Sequence, residues 1–176
     1  MTQFFNPFFI ILFGSIFSVM WVKLSKIGKN PSIPLKFCFG IVQLALGFLL
    51  TQVGFQFVNE AYQVPLLTLV FLYMLHTTGE LFLSPIGLSM VTKLSPKSMA
   101  GTAMGAWFLS FAIANYVGGK IAALTGGHGG GEVSSAEDGL LQYLDTFATI
   151  GYVLLAIAAL IFVLNKPIQK LMHGVE

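Results

Sequence analysis

The stretch HTTGELFLSPIGLSMVTK, His76 to Lys93, decides how this chain is read, because Glu80 sits where hydrocarbon is expected. Leu66, Leu67, Leu69, Val70, Phe71 and Leu72 precede it, and Leu81, Phe82 and Leu83 follow. An acidic side chain at the centre of a bilayer costs a few kcal/mol even on the mildest insertion scale, about 2.5–3.5 for Asp. Such a residue is kept where it faces a partner or a watery cavity.

The surroundings of that stretch are those of a membrane protein. Apolar residues make up 56% of the 176 and charged residues only 9%, far from the balance of a soluble domain. All nine basic residues are lysines, so no guanidinium is available to clamp phosphate or carboxylate. They are scattered through short loops, which excludes a nucleic-acid-binding patch. Cys38 is the single cysteine and opens an apolar run; it reads as a small packing residue.

A bilayer core of about 30 Å takes about 20 helical residues. Five runs meet this, at about 4–22, 37–55, 65–91, 99–124 and 143–165. The fold class is therefore all-α, a polytopic membrane protein with five transmembrane helices. If the spans alternate in direction, Lys23, Lys26, Lys29, Lys36, Lys93, Lys97, Lys166 and Lys170 all fall on one side. The other side receives Glu60, Glu132, Glu137, Asp138 and Asp145, with only Lys120 near it. The positive-inside rule makes the lysine side cytoplasmic, including the tail at 166–176. Met1 is then external with no leader to carry it across, so the chain is expected to be the C-terminal piece of a longer protein. The Gly/Ser-rich segment from Thr125 to Gly139 reads as an external linker. His128 within it supplies one ligand where zinc needs three or four, and His173 lies in the polar tail.

On a helical wheel Tyr73, His76, Thr77, Glu80, Ser84 and Gly87 fall within about 60° of Glu80. Leu75, Phe82 and Ile86 lie opposite, so the span has a polar stripe and a greasy back. Pro85 removes a backbone donor and predicts a kink beside Glu80. The plain reading of Glu80 is a bracing hydrogen bond, for which His76 one turn earlier is the candidate. The functional reading follows from charge. The spans hold no lysine besides Lys120, so the partner of Glu80 comes from absent helices, from a bound substrate or from a proton.

The fourth span carries Ala100, Ala103, Ala114 and Gly118 on one stripe with Trp107, and Gly101 and Gly105 on another face. Small residues on two faces predict close approach by two neighbouring helices. Trp107 lies well inside the span and reads either as a packed tryptophan or as a cavity wall. At the head of the first span, Asn6-Pro7 reads as a helix start with Asn6 as the cap. The other reading gives Asn6 a polar ligand. No zinc motif, nucleophile–base pair or nucleotide loop is present, so the chain is not read as an enzyme.

FFNPFFIILFGSIFSVMW and GELFLSPIGLSMVTKLSPKSMAGTAMGAWFLS, with the lysine-tipped turn between the third and fourth spans, resemble the proton-coupled oligopeptide transporters, the POT/PTR branch of the major facilitator superfamily. The resemblance covers nearly the whole chain and implies that residues 1–176 are helices eight to twelve, most of the C-terminal six-helix bundle. It implies proton-coupled symport of di- and tripeptides across the plasma membrane by alternating access. The proton would be the coupling ion, with no other cofactor. The partners it implies are the peptide, the lipid bilayer and the missing N-terminal half. By the motif, Glu80 would meet the peptide amino terminus with Ser84 nearby. Asn6 would contact the peptide backbone, Trp107 would wall a side-chain pocket, and Leu94 to Ser98 would belong to the cytoplasmic gate. The family's proton-linked ExxER motif and its carboxylate-binding basic residues are not in this chain. Two competing readings are a same-fold transporter of another small solute and a five-span subunit that uses the Glu80 stripe for assembly.

Overall fold

The computed structural model describes residues 4–60, 62–125 and 135–172. They form five α-helices, α1 (Phe5–Lys26), α2 (Ile33–Phe55), α3 (Leu66–Leu94), α4 (Ala100–Thr125) and α5 (Ala136–Leu171), with a 3₁₀ turn at Lys97–Met99 before α4. The all-helical membrane architecture is the one that the apolar runs demand, since in lipid a helix satisfies its own backbone groups. Four helices, α1, α2, α3 and most of α5, are both long and apolar enough to cross a membrane. α4 has the length, with 26 residues, but is not among these four; its many small residues, Asn115 and Lys120 dilute its hydropathy.

Helix starts follow local chemistry. Ser135 caps α5 by accepting the Asp138 backbone N–H at 3.1 Å, while its hydroxyl donates to the Asp138 carboxylate at 2.8 Å. Glu137 and Asp138 sit in the first turn, where the positive end of the helix dipole favours them. This start corrects the expected linker: residues 136–139 are helical, and α5 begins seven residues before the apolar run at 143. Glu132, His128 and His173 lie outside the described residues. α3 runs unbroken through Pro85.

α2 is the structural hub, packed along its length against both α3 and α5. Three side-chain bonds tie it to the antiparallel α5. Ser32 Oγ donates to Asn165 Oδ1 at 2.7 Å, Cys38 Sγ to the Ala158 carbonyl at 3.3 Å, and Gln52 Nε2 to the Leu144 carbonyl at 2.7 Å. Cys38 is buried, in keeping with a packing role. Towards α3, α2 presents Gly40, Gly47 and Gly54, one every seventh residue. A methyl group at Gly40 would lie 2.9 Å from Leu83 Cγ, one at Gly47 2.6 Å from His76 Nε2, and one at Gly54 2.5 Å from Thr68 Cγ2. The missing side chains are thus what lets the two backbones approach.

α1 packs mainly against α3, through an aromatic run in which Phe17 and Trp21 both meet Phe82 edge-on at 5.0 and 5.1 Å. Lys36, expected in a loop, lies instead in the first turn of α2. There it is buried, with its ammonium 4.8 Å from the Trp21 ring centroid. α4 touches α3 and, lightly, α5. Its small-residue faces were expected to admit close neighbours. Nothing lies within 4 Å of a methyl group placed at Gly101, Gly105, Gly118 or Gly119, so among the described residues those four positions are uncovered.

Candidate binding site

Glu80 stands near the middle of α3 with its side chain exposed, directly after the buried Thr77, Thr78 and Gly79. α3 therefore turns its acid away from the α2 contact and onto an open flank. α1 runs parallel to α3 and brings its first turn to this level: the Phe5 and Tyr73 rings lie 6.4 Å apart. Beside them Asn6 Nδ2 donates to Glu80 Oε2 at 3.3 Å and to Thr77 Oγ1 at 3.1 Å.

This geometry corrects two expectations. Asn6 is not the helix cap; Phe4 holds that position, and α1 has no side-chain cap bond. Being one residue inside the helix, Asn6 spends its amide on the neighbouring helix. His76, in turn, is not the partner of Glu80. Its ring turns towards α2, 4.5 Å from the Phe48 ring and against Gly47, where Nε2 is buried without a hydrogen-bond partner among the described residues. A helical wheel places His76 and Glu80 40° apart, and that angle is enough for two different neighbours to claim them.

Ser84 and Trp107 lie on the other flank of the open strip. They share an open cavity of about 340 Å³ between α2, α3 and α4, walled by Phe37, Ile41, Leu83 and Phe111. The Trp107 indole lies over Gly87, where a methyl group would come 2.6 Å from Cζ2, and it meets Phe111 edge-on at 6.1 Å. Trp107 is thus both packed and a cavity wall. The four expected residues form two pairs, Asn6 with Glu80 and Ser84 with Trp107. The pairs adjoin along α3, where Glu80 and Ser84 are one turn apart and both exposed.

Thr77 is the participant that the sequence did not single out. Its place in the polar stripe was the available signal, but a threonine on a wheel does not reveal that it is fully buried and bonded to another helix. Phe37 and Ile41 carried no polar signal at all, since only the packing of α2 brings them to the cavity.

Chemically, the first pair offers a carboxylate beside a carboxamide whose Oδ1 has no partner among the described residues. That is a fit for a cation carrying several N–H donors, such as a primary ammonium. The second pair offers an apolar, aromatic recess with two hydroxyls, Ser84 and Ser110. Among the described residues no group of three His, Cys, Asp or Glu side chains could hold a metal ion.

The model of the POT family (PTR2) matches residues 1–130. The chain is 36% identical over 169 residues to dipeptide and tripeptide permease A of Edwardsiella piscicida, covering 96% of this chain and 34% of that protein. It is 34% identical over 170 residues to the uncharacterized transporter YclF of Bacillus subtilis (strain 168), covering 97% and 31%. Among solved structures it resembles a peptide transporter POT in complex with sulfate, at 32% identity and a TM-score of 0.78 over 97% of this chain and 31% of that one. The chain spans about a third of the length of the relatives it matches.

Proposed function

The chain belongs to the POT family, and we propose on that premise that it is the C-terminal part of a symporter carrying di- and tripeptides with protons across the plasma membrane. Relatives named dipeptide and tripeptide permeases support the peptide. The function is transport, not catalysis. The uncovered faces of α1 and α4 receive the remaining two thirds of the transporter, and the cavity closes between the two parts during alternating access. The bundle end carrying Lys23, Lys26, Lys29, Lys36, Lys93, Lys97, Lys166 and Lys170 is the cytoplasmic one, which puts the C-terminus inside the cell. The proton path runs through residues outside this chain.

One observation carries the reading at residue level: Glu80 holds an exposed carboxylate in mid-helix, and its hydrogen-bond partner, Asn6, is neutral. A peptide brings the missing cation as its amino terminus. Glu80 takes that ammonium and Asn6 Oδ1 accepts from the peptide N–H groups. Ser84 and Trp107 border the recess for a side chain. An aromatic and apolar wall without opposite charge tolerates many side chains, while the ends of the peptide set its orientation.

The test is Glu80→Gln in the whole transporter, with binding of Ala-Ala and N-acetyl-Ala-Ala measured side by side. Glutamine keeps the acceptor for Asn6 and removes the charge. Glu80 is exposed in this chain, and the closed cavity of the whole transporter is what desolvates its pair with the ammonium. Losing one member of a pair so enclosed costs about 2–5 kcal/mol, so Ala-Ala should bind at least about tenfold more weakly. The acetylated peptide should bind poorly to the native protein and lose little more in the variant. Equal losses for the two ligands, or none for either, sink the assignment of Glu80 to the amino terminus.

A further inference from the structure

The contact between α1 and α3 contains an oxygen that no substrate reaches. Thr77 is fully buried, with 0% of its surface exposed, yet its hydroxyl oxygen lies 3.1 Å from Asn6 Nδ2. The same nitrogen lies 3.3 Å from Glu80 Oε2. A carboxylate accepts only, so the amide must turn its NH₂ towards Glu80. With both N–H bonds directed at Thr77 and Glu80, the orientation of the carboxamide plane is fixed and Oδ1 is left as an acceptor. We infer that Thr77 is a positioning residue of the binding site, anchoring Asn6 so that the Glu80 carboxylate and Asn6 Oδ1 converge on one cation. This rests on the proposed role of Glu80 towards a peptide amino terminus.

The placement favours Thr77 as the anchor for a physical reason. Asn6 sits in the first turn of a helix whose main support among the described residues is α3, and the end of a helix frays unless tied. Glu80 is exposed and its long side chain is free to turn, so it cannot hold Asn6 alone. Thr77 is immobilised by burial and by a β-branched side chain with few rotamers. The rigid member of the trio is therefore the one furthest from solvent. Asn6 orders Glu80 against the cost of its rotamer freedom, which leaves the site formed before the ligand arrives.

The experiment uses the whole transporter in proteoliposomes and compares Thr77→Val, which keeps the shape but removes the oxygen, with Thr77→Ser, which keeps the oxygen. Uptake of Ala-Ala and binding of N-acetyl-Ala-Ala are the readouts, with Glu80→Gln run in parallel. Thr77→Val should raise KM for Ala-Ala about three- to tenfold, the equivalent of one hydrogen bond, with maximal rate unchanged. Thr77→Ser should restore it. In the Glu80→Gln background Thr77→Val should add nothing, since the charge it positions is gone. Thr77→Ala removes the same oxygen and carries the test if Thr77→Val does not reach the membrane. A normal KM in Thr77→Val beside a weakened Glu80→Gln overturns the role of Thr77 alone. Equal loss for both ligands, or failure of serine to rescue, assigns Thr77 to helix packing and also overturns it. A silent Glu80→Gln removes the reading of the site and this inference with it.

Discussion

Gly47→Ala tests the packing that holds α3, and with it Glu80, in place. The added methyl would lie 2.6 Å from His76 Nε2, in a range that real Cβ atoms essentially never occupy. The imidazole has no easy retreat. Phe48 stands 4.5 Å from it, and behind Phe48 stands Phe147 of α5 at 5.3 Å. The clash is therefore passed across the α2–α5 seam. Overpacking of this kind costs about 1–3 kcal/mol, against a helix-propensity gain of up to about 1 kcal/mol for Gly→Ala. With the full propensity gain set against it, the net loss is up to about 2 kcal/mol. The assay is thermal unfolding of the detergent-solubilised transporter, in a double-mutant cycle with His76→Ala. Removing the ring opens the space that the methyl needs, so Gly47→Ala should destabilise the native background and be neutral or stabilising beside His76→Ala. The coupling should reach about 1 kcal/mol, within the range for residues in contact. Equal destabilisation in both backgrounds would show that the methyl meets something other than His76 and would refute the reasoning.

Two further outcomes follow from the ends of the bundle. Tyr62 donates its hydroxyl to Glu137 Oε2 at 2.9 Å outside the spans, and that hydrogen bond, with the negative charge of Glu137, pushes the phenol above its ordinary value near 10. The folded state thus holds the proton more tightly than the unfolded chain. The resulting stabilisation is full below about pH 10 and is lost as pH rises through the folded value. Ultraviolet titration should show Tyr62 ionising late and Glu137→Gln bringing it back towards that of a free tyrosine; no change between the two proteins would discount the contact. For topology, cysteines placed at Lys29 and Lys97 should both react with an impermeant label from the cytoplasmic side, and reaction from opposite sides would undo the orientation.

The sequence by itself determined the class of the molecule, because a bilayer is an undiscriminating solvent. It demands about 20 apolar residues per crossing and internally satisfied backbone, so length and hydropathy are read directly from the letters. The lysine asymmetry is legible for the same reason, and so is the anomaly of Glu80, which stands out against its neighbours without reference to any other helix. The long motif around Glu80 carried the family. What the tertiary structure alone decided was which neighbour claims each sector of α3. A helical wheel orders side chains about one axis and is silent on what surrounds it. The single polar stripe was therefore divided three ways: His76 went to Gly47 and Phe48 of α2, Thr77 and Glu80 to Asn6 of α1, and Gly87 to Trp107 of α4. The heptad of Gly40, Gly47 and Gly54 was visible in the letters, but what fills each gap depends on the register of α2 against α3. Hydrogen bonds between helices depend on distances of a few tenths of an ångström across chain separations of seventy residues or more, as between Asn6 and Thr77. Local periodicity carries no information on that scale, whereas packing does.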